Sequence, residues 1–133
     1  MMNPPKHTTP DNINFLASNE IFVYGANEAG VHGAGAAKVA IKWGAKMGSF
    51  GFNGQTYGIP TKDRNIKTLP LDKIKVYVDE FLLFAIEHPD YIFLVTPVGC
   101  GLAGYSLKEI APLFKRAVDA SNIDLPLGFF KYL

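Results

Sequence analysis

Residues 21–40 read IFVYGANEAGVHGAGAAKVA, an apolar run that breaks into a glycine loop and then into an alanine-rich segment. The β-branched and aromatic residues 21–24 predict a strand buried on both faces, which Gly25 ends. The three glycines between residues 30 and 35 let the backbone turn tightly or approach a ligand closely. This order of features predicts a ligand loop between a strand and a helix, although a tight turn that serves packing alone would have the same composition.

The helix expected at about residues 34–43 begins with small side chains that cannot cap it. Its unpaired N–H groups and the positive end of its dipole favour an anion, and phosphate is the usual guest. Gly44 is placed to be its left-handed C-terminal cap. Within the loop, Asn27 can hydrogen-bond a sugar hydroxyl because its amide both donates and accepts. His32 is a candidate for contact with a phosphate, or simply a polar loop residue.

The composition favours one compact domain. The chain has 133 residues, of which 48% are hydrophobic and 19% charged, enough for one core. Residues 1–12 are polar and rich in proline, which predicts a flexible tail before a single domain over residues 13–133. The net charge of +1, with acids and bases intermixed, argues against nucleic acid and membranes as partners.

No apolar leader and no stretch of about 18 apolar residues is present, so a cytoplasmic location is expected. The three histidines lack metal-ligand spacing, and we expect no metal and no cofactor. Cys100 is the single cysteine. Without a predictable histidine neighbour, packing is a better interpretation of this thiol than nucleophilic catalysis.

The second half of the chain repeats the order of strand, loop and helix. Residues 55–60 predict a strand that ends at Pro60, and the apolar spacing in residues 71–88 predicts an amphipathic helix. Residues 91–98 form the most apolar run, which is typical of a central strand. A second glycine loop over residues 99–105 then precedes a helix.

Ser106 and Glu109 match a capping box at the start of that helix. Pro112 conflicts with one continuous helix, so a short turn and then a helix over about residues 111–120 are expected. A last strand is expected at about residues 125–130.

The alternation of strands and helices predicts an α/β fold with a mostly parallel central sheet between helices. Ligands bind such sheets at the carboxyl ends of the strands. Residues 25–35, 61–64 and 99–105 all leave strands at that edge, and we expect them to share one cleft.

These segments carry a resemblance. GAN followed by HGAGAAKVAI, and VTPVGCGLAGYSLKEIAPLF, resemble the two ligand loops of macro domains. Within that superfamily the chain resembles the terminal ADP-ribose protein glycohydrolase branch, whose three motifs correspond to GAGAAK, IPTKD and GCGL. The similarity covers about residues 21–127. It implies a three-layer α/β/α macro-like domain that binds ADP-ribose or an ADP-ribosylated substrate.

The resemblance also implies where the ligand lies. The diphosphate would be held by the two glycine loops, and the distal ribose would lie near Asn27 and Lys62. Expected ligand contacts in the first loop are Gly25, Ala26, Asn27, His32, Gly33, Ala34 and Gly35. Those expected in the second loop are Gly99, Cys100, Gly101, Leu102, Ala103, Gly104 and Tyr105. Phe50, Phe52 and Tyr57 are further candidates for the wall around the adenine.

In the resembled branch a lysine attacks the anomeric carbon of the distal ribose, and Lys62 matches it. The branch has an acidic residue after Gly-Cys-Gly-Leu that assists proton transfer, but Ala103 stands there in this chain. Asp63, Glu28 or a bound water would have to replace it. Neighbouring residues of a strand point to opposite faces, so Lys62 and Asp63 both face the cleft only if the chain turns at Asp63.

Three functions remain open at this stage. The chain hydrolyses ADP-ribosyl linkages with Lys62 and Asp63, or it binds the nucleotide without catalysis as a reader or sponge. Alternatively, it is a structural or protein-interaction domain whose glycine loops only pack.

Overall fold

The chain forms a mixed α/β fold around one six-stranded sheet, as seen in a computed structural model that describes residues 7–133. The strands are β1 (Thr8–Thr9), β2 (Glu20–Asn27), β3 (Gly51–Asn53), β4 (Thr56–Lys62), β5 (Ile92–Val95) and β6 (Ile123–Pro126). Across the sheet they follow the order β1-β6-β5-β2-β4-β3. Every neighbouring pair is parallel except β3 and β4. The predicted α/β class with a mostly parallel sheet is confirmed.

Helical segments connect the strands. The α-helices are α1 (Gly35–Ala40), α2 (Leu71–Glu87) and α3 (Leu107–Ile110), and 3₁₀ helices cover Ile41–Trp43, Ala111–Ala117 and Leu127–Tyr132. Gly44 caps the first helical segment with φ of 107°, as predicted from the glycine after Trp43. The long helix α2 begins after Pro70, whose fixed φ suits a helix start. The capping box of Ser106 and Glu109 is also present.

Alternate residues of β2 pack into two different hydrophobic clusters, because successive side chains of a strand point to opposite faces. Ile21 and Val23 join the larger cluster, which includes Phe81 of α2. Phe22 and Tyr24 join a smaller cluster, which includes residues of α1. Both faces of the central strand are therefore buried, as its unbroken apolar run predicted.

Two strands extend further than expected. β2 continues past Gly25, which pairs with Ile59, as far as Asn27. β4 continues through Pro60 to Lys62. The neighbouring strand β3 covers β4 only as far as Gly58, so β4 is a sheet edge at Pro60, where a proline is tolerated.

The two ends of the described chain also differ from expectation. Thr8–Thr9 pairs with β6 as an edge strand, and the Thr9 hydroxyl donates a hydrogen bond to the Val95 carbonyl at 2.7 Å. The flexible tail expected over residues 1–12 is therefore partly ordered, and residues 1–6 lie outside the described residues. The last strand ends at Pro126, and a 3₁₀ helix takes the place of its expected continuation.

The order in which the chain adds strands to the sheet changes direction at β2, so the sheet has its topological switch point there. The chain leaves β2 through α1 to reach β4 on one side, then returns through α2 to β5 on the other side. The loops after β2 and β5 thus diverge from neighbouring strands, which is where open α/β sheets bind ligands. Within residues 7–133 no helix combines the length and apolar character needed to cross a bilayer.

Candidate functional site

A cleft of about 510 Å³ lies at the carboxyl ends of β2, β4 and β5. Its volume falls in the range of roughly 300–1,000 Å³ that is typical of small-molecule sites. The three segments expected to share one cleft do so, since its walls come from the loops after these strands. The lining residues are Gly25, Ala26, Asn27, Val31, Gly33, Ala34, Gly35, Ala36, Ala37, Thr61, Lys62, Ile66, Thr96, Pro97, Val98, Gly99, Gly101, Leu102 and Ala103.

Most of the expected ligand contacts are on that wall, but five predicted site residues are not: His32, Asp63, Cys100, Gly104 and Tyr105. Eight lining residues were not predicted as contacts: Val31, Ala36, Ala37, Thr61, Ile66, Thr96, Pro97 and Val98. Thr96–Val98 were assigned to the preceding strand, which in fact ends at Val95. A shorter predicted strand would have placed them in the ligand loop. Ile66 lies in a turn whose conformation has no sequence signal.

The Asn27 side chain holds the first loop in place with two hydrogen bonds to the Val31 backbone. Its side-chain Nδ2–H donates to the Val31 carbonyl at 2.7 Å, and its Oδ1 accepts from the Val31 N–H at 3.0 Å. The side chain is only 8% exposed. Asn27 therefore lines the cleft as predicted, but its amide is already used to hold the loop that contains Val31.

Gly30 sets the path of the same loop. It has φ of +70°, and a Cβ at this position would lie 2.1 Å from the backbone nitrogen of Ser49. Only glycine combines this conformation with so close an approach of two backbones. The Gly48 N–H donates to the Gly30 carbonyl at 2.9 Å, so the first loop rests on residues 48–49.

His32 is a buried part of this support and not a phosphate contact, because the ring is 3% exposed. Its Nε2 bonds to the Lys46 carbonyl at 2.8 Å, and the ring meets the edge of Tyr24 with 5.8 Å between centroids. A carbonyl can only accept, so Nε2 carries the proton. The structure places His32 outside the cleft lining, on a hydrogen-bond partner 14 residues along the chain.

The second loop is held against residues 63–70. The Tyr105 hydroxyl donates to the Leu69 carbonyl at 2.6 Å, and the Thr68 hydroxyl donates to the Ala103 carbonyl at 2.9 Å. Tyr105 is thus an anchor and not a stacking surface for a base. The three aromatic residues proposed for the adenine wall also lie outside the cleft, since Phe52 stacks near Tyr91, Phe50 meets Tyr77 and Tyr57 is in the core.

Cys100 is a packing residue of the second loop. Burial and the nearby Glu109 charge raise the pKa of its thiol to about 11. The thiol donates weakly to the Val98 carbonyl at 3.6 Å. At neutral pH this cysteine is protonated, which agrees with the structural role expected for it.

The N-termini of α1 and α3 differ in whether a side chain already caps their N–H groups. Ala34, before α1, makes no side-chain cap. Before α3, the Ser106 hydroxyl accepts from the Glu109 N–H, and the Glu109 carboxylate accepts from the Ser106 N–H. The N-terminus of α3 is therefore already capped and carries an acidic residue, so only the glycine loop before it remains to contact a phosphate.

Lys62 and Asp63 diverge where β4 ends. Lys62 lines the cleft. The Asp63 carboxylate turns back on the chain, and its Oδ1 accepts the N–H groups of Asn65 at 2.8 Å and Lys67 at 3.0 Å. The chain does turn at Asp63, but the carboxylate is used to stabilise that turn.

Glu28, the other carboxylate considered as a base, is bound on the side of α2. The Tyr77 hydroxyl donates a hydrogen bond to its carboxylate. Lys73 lies over the Tyr77 ring, 5.3 Å from its centroid. Among the described residues, no aspartate or glutamate lines the cleft.

Lys62 is the one charged residue among the described residues that line the cleft. Between Glu28 and Asp63 the sequence has four lysines and no acidic residue. This stretch contains the first loop, α1 and β4. Of these four lysines, Lys62 lines the cleft, and its charge favours an anionic ligand.

A second cavity of about 420 Å³ adjoins the cleft. The two share Ala36, Thr96 and Pro97. Asp11, Asn12 and Asn14 bring polar groups to its wall, while Phe22 and Val39 bring apolar surface. Together the cavities offer a site with one glycine-lined part and one part of mixed polar and apolar character.

The bond between Tyr77 and Glu28 gives a prediction about alkaline stability. Burial and the Glu28 hydrogen bond raise the pKa of Tyr77 to about 12, above its ordinary value of 10. Between pH 10 and 12 the unfolded chain loses this proton while the folded chain keeps it, so the free energy of unfolding falls as pH rises. Tyr77→Phe should cost about 1 kcal/mol at pH 8 and reduce the further loss between pH 8 and 11.

Urea unfolding of both proteins at the two pH values measures this effect. Tyr91→Phe is the matched control because Tyr91 packs through its ring against His88 and Phe93. If both variants respond to pH alike, the Tyr77–Glu28 bond contributes nothing to stability.

Comparisons of the chain with protein-family models, with curated proteins and with solved structures each found no match.

Proposed function

We propose that this chain binds ADP-ribose, or a related nucleoside diphosphate, in the cleft at the switch point. One observation carries the proposal: glycine loops from the neighbouring strands β2 and β5 line the same cleft. Backbone N–H groups at such loops bind phosphate oxygens. In the proposed arrangement, helices on both faces of the sheet complete a three-layer, macro-like domain.

The walls of the cleft leave room for an anion to approach the backbone closely. At Gly33 and at Gly101, no heavy atom of the described residues, apart from the glycine and its two chain neighbours, lies within 4 Å of the position that a Cβ would take. A ligand can therefore reach the backbone at both positions. Lys62 supplies positive charge, and the lack of carboxylates among the described lining residues removes a source of repulsion.

The second cavity provides the place for the base. A nucleoside needs an apolar surface for its ring and polar groups for its edge. The Phe22 and Val39 side chains and the polar residues 11–14 offer these. Because the cavity adjoins the glycine loops through Ala36 and Thr96, a ligand with a base, two phosphates and a distal ribose would span both.

Calorimetric titration with ADP-ribose, and with AMP, ADP and NAD for comparison, tests the proposal. We expect micromolar binding of ADP-ribose and weaker binding of AMP, which has one phosphate. An absence of heat with all four nucleotides would contradict the proposal and favour a structural or protein-interaction domain.

If the protein is also a hydrolase of ADP-ribosyl linkages, Lys62 is the residue that acts on the sugar. A lysine amine attacks carbon only when it is neutral, and the resemblance assigns it the anomeric carbon of the distal ribose. Lys62→Ala should then lower the rate of hydrolysis at least ~100-fold and change the dissociation constant of ADP-ribose by less than about fivefold. Release of ADP-ribose from an ADP-ribosylated protein measures the first, and calorimetry the second.

Lys67→Ala is the control for this variant. Lys67 is exposed and lies four residues after Asp63 in the adjoining turn, outside the cleft lining. Hydrolysis that persists unchanged in Lys62→Ala would remove this lysine from any mechanism.

One observation favours a second candidate, a non-catalytic reader or sponge that sequesters a nucleotide. Ala103 stands where the resembled branch has its acid, and the carboxylates of Asp63 and Glu28 are bound elsewhere. No general base among the described residues lines the cleft. ADP-ribose binding without release from an ADP-ribosylated protein would support this candidate.

A further inference from the structure

The rim of the cleft contains three large aliphatic side chains that remain exposed. Val31 is 46% exposed, Ile66 45% and Leu102 71%, and all three line the cleft. They come from three different loops. Exposed apolar surface at the mouth of a ligand site commonly marks contact with an apolar part of a partner.

Each of these side chains is held by a fixed backbone. The Asn27 amide binds both backbone groups of Val31. Leu102 precedes Ala103, whose carbonyl accepts from the Thr68 hydroxyl. Leu102 Cδ1 also lies 3.8 Å from the position that a Cβ on Gly35 would take. Contact with these side chains therefore requires little further ordering of the loops, which reduces the entropic cost of binding.

Ile66 is the most informative of the three. It is the one non-glycine residue in 7–133 with positive φ, at 63°, a conformation that β-branched residues rarely adopt. Asparagine or glycine would suit the turn better. The conformation of the turn does not explain an isoleucine at position 66, whereas contact with an apolar group at the cleft does.

The position of Ile66 indicates which part of the ligand it meets. Lys62 and Thr68 form a bridge, so Ile66 lies in the short connection that begins at Lys62. The proposed function puts the distal ribose beside Lys62. A group attached to that sugar would leave the cleft past Ile66.

We infer that the ligand carries a small, uncharged apolar group on its distal ribose, and that Val31, Ile66 and Leu102 contact this group. The inference rests on the proposed function, because it assumes that the sugar lies at Lys62. It excludes a group that keeps a free carboxylate as the preferred attached group, since the rim offers aliphatic surface where a carboxylate would need hydrogen-bond donors.

Three ligands test it by calorimetry: ADP-ribose, its benzyl glycoside at the distal anomeric carbon, and the corresponding carboxymethyl glycoside. We expect the benzyl glycoside to bind about tenfold more tightly than ADP-ribose, the effect of removing ~60 Å² of apolar surface from water. The carboxymethyl glycoside should bind no more tightly than ADP-ribose.

The variants Ile66→Asn and Leu102→Asn together should reduce the benzyl preference to less than about threefold. Asparagine tolerates the backbone of residue 66, so the melting temperature should not fall. Ile86→Asn is the matched control, because Ile86 is an exposed isoleucine on α2 and outside the cleft lining, and it should keep the full preference.

The outcomes separate this inference from the proposed function. Equal binding of ADP-ribose and the benzyl glycoside, or the tightest binding by the carboxymethyl glycoside, would overturn the inference and leave nucleotide binding established. Binding of none of the three would overturn both. A benzyl preference that survives in the double variant would show that other residues contact the ring.

Discussion

Gly101→Val should lower the affinity for ADP-ribose at least ~100-fold and leave the fold intact. Gly101 lines the cleft, and no atom of the described chain lies within 4 Å of the position of its missing Cβ. The Cβ of the valine therefore enters open space, and the side chain occupies the room through which a phosphate would reach the backbone. Calorimetry measures the loss, and the melting temperature shows that the protein is folded.

Gly33→Val applies the same test to the opposite wall, since Gly33 has the same open surroundings. Ser121→Val, at an exposed turn before β6, controls for an added apolar side chain on the surface. Full affinity in both glycine variants would show that the loops are not the phosphate site, even if ADP-ribose binds elsewhere on the protein.

Gly30→Ala should be among the most destabilising single substitutions in this chain. The added Cβ would lie 2.1 Å from the Ser49 nitrogen and 2.5 Å from the Gly48 carbonyl carbon, and a backbone cannot yield as a flexible side chain does. We expect a loss of about 3 kcal/mol or more in the free energy of unfolding, which corresponds to a fall of roughly 10 °C in melting temperature.

Gly33→Ala is the control, three residues away in the same loop. Its Cβ meets nothing within 4 Å among the described residues, so the change in the free energy of unfolding should stay within about 0.5 kcal/mol. Denaturant unfolding of both variants compares them directly. Equal stability of the two would mean that the first loop does not rest on residues 48–49.

Features that depend on neighbours in sequence were predictable. The apolar run 91–98, the glycine after Trp43 and the Ser106–Glu109 pair each specify their own local structure. The predicted cap and capping box are confirmed, and the predicted strand is confirmed over Ile92–Val95. The convergence of the loops followed from the rule that ligand loops leave the carboxyl ends of parallel strands.

Features that depend on distant partners were not predictable. His32 is buried because the Lys46 carbonyl, 14 residues away, accepts its proton. The turn at Asp63, by contrast, is local: its carboxylate accepts the N–H groups of Asn65 and Lys67, a use of aspartate that was overlooked in the sequence. β3 also had a local signal that was overlooked, since the two residues Gly54-Gln55 join Asn53 to Thr56, and glycine in the first position is typical of a two-residue hairpin turn.

The two walls of the cleft are fastened to different parts of the chain, and this has a mechanical consequence. The second loop is bonded to residues 63–70 through Tyr105 and Thr68, whereas the first is bonded to residues 46–48 through His32 and Gly30. We therefore expect each wall to open locally together with the segment that supports it. Amide hydrogen exchange in residues 63–70 should follow that of the second loop, and exchange in residues 46–48 should follow that of the first.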